Sequence, residues 1–181
     1  MKLLHLSAFF LLCTITLHAQ KDKTKTQWLT YSDSLYNFAV QYPSNWEFKT
    51  PGTNTRFFIT SYNETDADNF RDNINCIARK LEQKDFKINS AEEAIKKSLK
   101  EKYTDLNFIY SGYTQWNATE ALEMEYTFTN TSNEVAYHIH LLQRMAVVKE
   151  VLYTITYTAE AESYQKYIGI VRKVIQSFKV N

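Results

Sequence analysis

The stretch Thr119–Arg144 reads TEALEMEYTFTNTSNEVAYHIHLLQR. Bulky apolar residues recur at every second position on both sides of a polar centre, Asn130 to Glu134. Strict alternation is the mark of a half-buried strand, and two such runs around a short polar tip predict an antiparallel hairpin. With Thr131-Ser132 as the tip, Phe128 faces Val135, Tyr126 faces Tyr137, Met124 faces Ile139 and Leu122 faces Leu141. Four apolar couples in one register support the pairing, because a slip of one residue would mismatch them all.

Outward from this hairpin the same period recurs. Phe38, Val40 and Tyr42 share one face of a strand that stops at Pro43, which has no N–H for a ladder. Pro-Ser-Asn then turns, with Pro at its preferred second position, and Trp46 is thrown back onto the apolar face as a plug. Further strands are predicted at Arg56–Ser61, Asn73–Arg79, Asn107–Trp116 and Leu152–Thr158.

Two segments change to helical spacing. Ser90-Ala91-Glu92-Glu93 has the form of a capping box, ahead of a stripe of Ala91, Ile95, Leu99 and Tyr103. From about Glu160 to Phe178, Tyr164, Tyr167, Val171, Val174, Ile175 and Phe178 repeat at helical intervals. Strands with segregated helices predict an α+β fold. The expected form is an antiparallel β-sheet flanked by helices, an α/β/α sandwich with a long C-terminal helix.

The N-terminus has the form of an export signal. Lys2 supplies positive charge, Leu6–Leu17 is apolar, and Leu17-His18-Ala19 suits cleavage before Gln20. The apolar run is shorter than the roughly 20 residues needed to span a bilayer. The expected organisation is a signal over 1–19, a flexible leader over 20–27 and one domain over 28–181, exported to the periplasm or beyond. Later apolar runs are interrupted by charge, as in LLQRMAVVKEVLY, so no transmembrane segment is expected in the mature chain.

Removing the signal takes Lys2 and no acid, leaving basic and acidic residues equal in number. That balance gives no long-range pull toward nucleic acid or anionic lipid. Cys13 departs with the signal, so Cys76 has no intramolecular partner and the domain must be held by its core. On a face with Ile74 and Ala78, Cys76 reads as a buried, inert thiol.

With Gly52, Gly112 and Gly169 as the only glycines, no phosphate-cradling loop can be assembled. One mature cysteine excludes cysteine-rich zinc sites and a CxxC pair. No cofactor is expected. The two mature histidines, His138 and His140, share one strand face. The register above sets Glu125 opposite His138 and Glu123 opposite His140. Those four residues are the candidate site for a divalent metal. Their plainer reading is two cross-strand Glu–His pairs on a polar face. The acidic loop with Glu64, Asp66, Asp68 and Asp72 lacks the glycine and third ligand of a calcium loop and reads as solvated. Tyr110, Tyr113 and Trp116 would form a docking surface if exposed together.

Three segments resemble the PsbP-like family, which shares its fold with the Mog-type Ran-binding proteins: YNFAVQYPSNWEF (36–48), FRDNINCIA (70–78) and VLYTITYTAEAESYQKYIGIVRKVIQSF (151–178). The resemblance runs from about Trp28 to Phe178 and contains no catalytic motif. The family's named role is on the oxygen-evolving side of photosystem II, where an extrinsic subunit helps retain calcium and chloride. The short leader and bacterial-type signal here differ from the photosynthetic members. What the resemblance implies is a small exported, non-enzymatic accessory domain that docks onto a protein partner in the cell envelope. The alternative is a periplasmic protein binding metal or a small ligand through the Glu/His face.

Overall fold

The hairpin closes two residues later than its composition suggests. In the computed structural model, which describes residues 26–62, 70–132 and 134–181, the strands are β7 (Thr119–Ser132) and β8 (Val135–Val148). Ser132 pairs with Val135, so Leu122 lies opposite Met145, Tyr126 opposite Leu141 and Phe128 opposite Ile139. The expected couples Leu122–Leu141 and Met124–Ile139 are therefore replaced. Thr and Ser at 131–132 suit an extended strand, while Glu134 takes the left-handed φ of 67° that a tight hairpin tip requires. The correction moves the partner strand by an even number of residues. Each side chain thus keeps its face, because the strand period is two.

The remaining strands are β1 (Trp28–Asp33), β2 (Phe38–Pro43), β3 (Glu47–Lys49), β4 (Thr55–Thr60), β5 (Asn73–Lys80), β6 (Asn107–Trp116), β9 (Val151–Glu160) and β10 (Lys179–Val180). Seven form one antiparallel sheet in the order β3-β4-β5-β9-β8-β7-β6, and β1-β2-β10 form a second. Strand β9 slots between β5 and β8, so the segment from α1 (Glu92–Lys102) through β8 is an excursion between two strands that pair.

Each face of the large sheet has its own core. On one, Leu122, Met124, Tyr126, Phe128 and Ile139 are buried under the α1 stripe of Ala91, Ile95, Leu99 and Tyr103. The Tyr103 ring stacks on Phe128 with centroids 3.8 Å apart. On the other face, Tyr153, Ile155 and Tyr157 of β9 meet Tyr167, Val171 and Val174 of α2 (Tyr164–Ser177). Phe38 of the small sheet joins this core by stacking on Phe178 at 4.8 Å. Trp46 is buried as the expected plug and meets Tyr167 edge to face, centroids 5.2 Å apart.

The α+β reading, with flanking helices in an α/β/α sandwich and a long closing helix, is corrected here. Strands hold 54% of the described residues against 19% in helices, so the fold is mostly antiparallel β-sheet. Helix α2 has 14 residues rather than the whole of 160–178. Glu160 still pairs with Ile139 as the last residue of β9, and a turn intervenes before Tyr164. Helical spacing alone could not locate that stop, because Ala161 and Glu162 are good helix formers. Strands β1, β3 and β10 are too short or too polar to reveal themselves by alternation.

The capping box is also corrected. A 3-10 turn over Ile88–Ser90 runs in ahead of α1, and Ser90 Oγ donates to Lys87 O at 2.7 Å. Ala91 becomes the N-cap without a side-chain bond. Among the described residues no helix is long and apolar enough to cross a membrane. The signal (1–19), nearly all of the leader (20–27), and Glu64, Asp66 and Asp68 lie outside the described residues.

Candidate functional site

The ionisable cluster forms where β7 and β8 pass beneath the start of α2. Odd residues of β7 and even residues of β8 share this face, which places Glu123, Glu125, His140 and Arg144 together. Glu123 is directly opposite Arg144 and accepts hydrogen bonds from its Nε, at 2.8 Å, and from its Nη2. Both side chains are largely buried. Such a pair is costly to break, since removing one member strands a buried charge at about 3–5 kcal/mol.

His140 faces Thr127, and its Nε2 reaches one step along the strand to Glu125 Oε1 at 2.8 Å. Above it the Tyr164 ring lies 3.4 Å away and 3° from parallel. Tyr164 is the first residue of α2, so the helix start lids the cluster. Its hydroxyl is buried near the Glu125 carboxylate, with no close hydrogen bond. Burial first, and then the neighbouring Glu125 carboxylate, push that phenol above its ordinary range.

The four expected ligands are thus divided. Glu125 faces Leu142 rather than His138, and Glu123 faces Arg144 rather than His140. His138, exposed, meets Thr129 with Nδ1 3.2 Å from Oγ1. Only His140 and Glu125 of the set touch each other. Among the described residues no group of three or more His, Cys, Asp or Glu is placed to hold a metal ion. The cluster pairs its polar groups internally: Arg144 with Glu123, beside His140 with Glu125 under an aromatic ring.

Sequence reasoning missed Arg144 and Tyr164 here. The register that ended the strand at Arg144 gave it no partner in the cluster, and the helical stripe placed Tyr164 in the core. Gly112 sits beside this cluster, opposite Glu123. A Cβ there would meet the Tyr110 hydroxyl at 2.6 Å, so that half-exposed ring lies across the strand where glycine leaves room for it.

Other candidates resolve separately. Cys76 is fully buried, and desolvation pushes its thiol up, away from the reactive thiolate. Asp72 is buried and accepts from Ser163 Oγ at 2.8 Å, tying the lead into β5 to the turn before α2. Trp116 is buried, and its Nε1 donates to Ile175 O at 2.8 Å. Tyr110 and Tyr113 remain exposed, so the expected aromatic trio is split. Their strand, β6, forms one edge of the large sheet. Ile109, half exposed, lies beside Tyr110 because the register shifts between Phe108 and Tyr110, while Tyr113, opposite Leu122, is on the other face. The unalternating run Phe108-Ile109-Tyr110 was its only sequence signal.

An antiparallel sheet with a C-terminal helix on one face and a small leading sheet beside it is a PsbP-like fold. The chain belongs to the PsbP family, whose sequence model matches residues 26–180. No curated protein sequence matches it. Among solved structures, cyanobacterial PsbP (CyanoP) from Synechocystis sp. PCC 6803 is similar with a TM-score of 0.61 at 14% identity, over 91% of this chain and 99% of that one. LpqN of Mycobacterium tuberculosis, described as involved in cell envelope biogenesis, gives 0.64 at 10% identity, over 84% and 90%. A point mutant of Mog1 gives 0.56 at 9% identity, over 85% and 96%. At such identities these likenesses speak for the fold.

Proposed function

We propose that this chain is an exported, non-enzymatic accessory domain that acts by docking onto a protein partner in the cell envelope. The observation that carries this reading is the surface of β6. Its ten residues, NFIYSGYTQW, contain no charge, it lies at a sheet edge, and the neighbouring Ile109 and Tyr110 are 52% and 46% exposed. Uncharged edge strands with exposed aromatics are surfaces that soluble proteins otherwise blunt with charge or proline, and aromatic anchors dominate protein interfaces. The envelope address draws on the apolar segment ahead of Gln20 and on the involvement of LpqN in cell envelope biogenesis.

The test is affinity capture from native envelope extracts with the wild-type chain and an Ile109→Asp variant. A stoichiometric companion retained by the first and lost by the second supports the reading. No companion, or one held equally by both, overturns it. Cell fractionation with N-terminal sequencing checks the address: mature protein in the envelope should begin at Gln20.

A further inference from the structure

A pocket of about 140 Å³ opens at the end of the large sheet, between the β6–β7 turn, β8, β9 and the C-terminal segment. Trp116 and Phe178 form one wall, stacked with centroids 4.8 Å apart. Tyr153 meets the same Phe178 ring edge to face at 5.6 Å. Ala146 supplies a small buried surface, and Ala118, Val148 and Val180 add aliphatic lining.

Thr119 contributes a hydroxyl to the lining, and the other three polar side chains donate to backbone carbonyls. Trp116 Nε1 donates to Ile175 O at 2.8 Å, Asn117 Nδ2 to Phe178 O at 2.7 Å, and Tyr153 OH to Tyr36 O at 2.7 Å. The walls therefore offer aromatic and aliphatic surface with those three donors engaged elsewhere. An apolar cavity of about 150 Å³ is large enough to take benzene. The aromatic stacks also fix the walls in place before a ligand arrives, so little ordering cost accompanies binding.

We infer that this pocket is a binding site for a small uncharged apolar molecule, about the size of one benzene ring. It is independent of the docking reading, which rests on the exposed middle of β6.

The test uses the full chain, isotopically labelled, titrated with benzene and followed by NMR. Saturable shifts of the Trp116 indole N–H, with nuclear Overhauser contacts from benzene to the Ala146 methyl, are expected. A dissociation constant on the order of 1 mM is within reach of a six-atom ligand. Benzoate, the same ring bearing a charge, should bind at least tenfold more weakly. Ala146→Leu fills the space and should abolish the saturable shift. Ala118→Trp, at an exposed turn position, should occlude the mouth with the same loss. Absence of contacts to Ala146, non-saturating shifts, or undiminished binding by Ala118→Trp would overturn the inference.

Discussion

The imidazole of His140 lies flat against the Tyr164 ring, centroids 3.4 Å apart, while its Nε2 holds Glu125 at 2.8 Å. One side chain of β8 thereby ties the start of α2 to a carboxylate of β7. His140→Ala removes both contacts and leaves Glu125 short of a partner, so stability should fall by about 1–3 kcal/mol. Tyr164→Phe keeps the stack and deletes a buried hydroxyl that has the Glu125 carboxylate as its polar neighbour but no close hydrogen bond. That change should be neutral or stabilising by up to about 1 kcal/mol. Urea denaturation of the two variants measures the contrast, and a loss above 1 kcal/mol in Tyr164→Phe would show that the hydroxyl does hold a partner.

Acid should loosen α1 from β6. Lys96 first, then Ser111 and Tyr113, hold the Glu92 carboxyl down to about 2 from its ordinary 4.5. The Ser111 hydroxyl donates to it at 2.5 Å across the helix–sheet contact. A depressed carboxylate stabilises the fold fully above its unfolded value, and that contribution is lost as pH falls from about 4.5 through 2. Melting temperature followed from pH 6 to pH 2 should drop less steeply in Glu92→Gln than in the wild type. Equal slopes would refute the role given to Glu92.

Cross-linking distinguishes the two hairpin registers directly. Thr129 lies opposite His138, within the Cα separation that a disulfide spans. Thr129→Cys with His138→Cys should therefore oxidise readily, seen as a mobility change on non-reducing electrophoresis. Glu125→Cys with His138→Cys, opposite in the composition-based register, are offset by four residues, about 13 Å along the strand. That pair should stay reduced. Cys76, fully buried, should not compete.

The small sheet should depend on one ring. Phe38 is fully buried and contacts Tyr31, Phe57, Tyr153 and Phe178. Phe38→Ala should cost about 3–5 kcal/mol, the range for emptying a buried aromatic site. A cost below 1 kcal/mol in chemical denaturation would mean that the two sheets are joined elsewhere.

Much of this architecture was legible in the chain. Alternation in Leu122–Phe128 and Ile139–Arg144 marked the buried faces, and those faces survived an error in the tip because the error was even. The turn at Pro43 and the plug at Trp46 follow from proline's missing N–H and one large apolar side chain. The α1 stripe follows from helical spacing. All of these are properties of neighbours along the backbone, where local geometry fixes the period.

Tertiary structure decided the rest. Which residue faces Glu123 depends on where the hairpin closes, and a choice between polar tips of similar propensity is settled by packing across the sheet. The threading of β9 between β5 and β8, the stop of β9 at Glu160 and the lid formed by Tyr164 all join residues far apart in sequence. Nothing in a local period encodes such partners. That is why the four residues grouped as one candidate site become an Arg–Glu pair, a His–Glu pair under an aromatic ring, and an exposed His138.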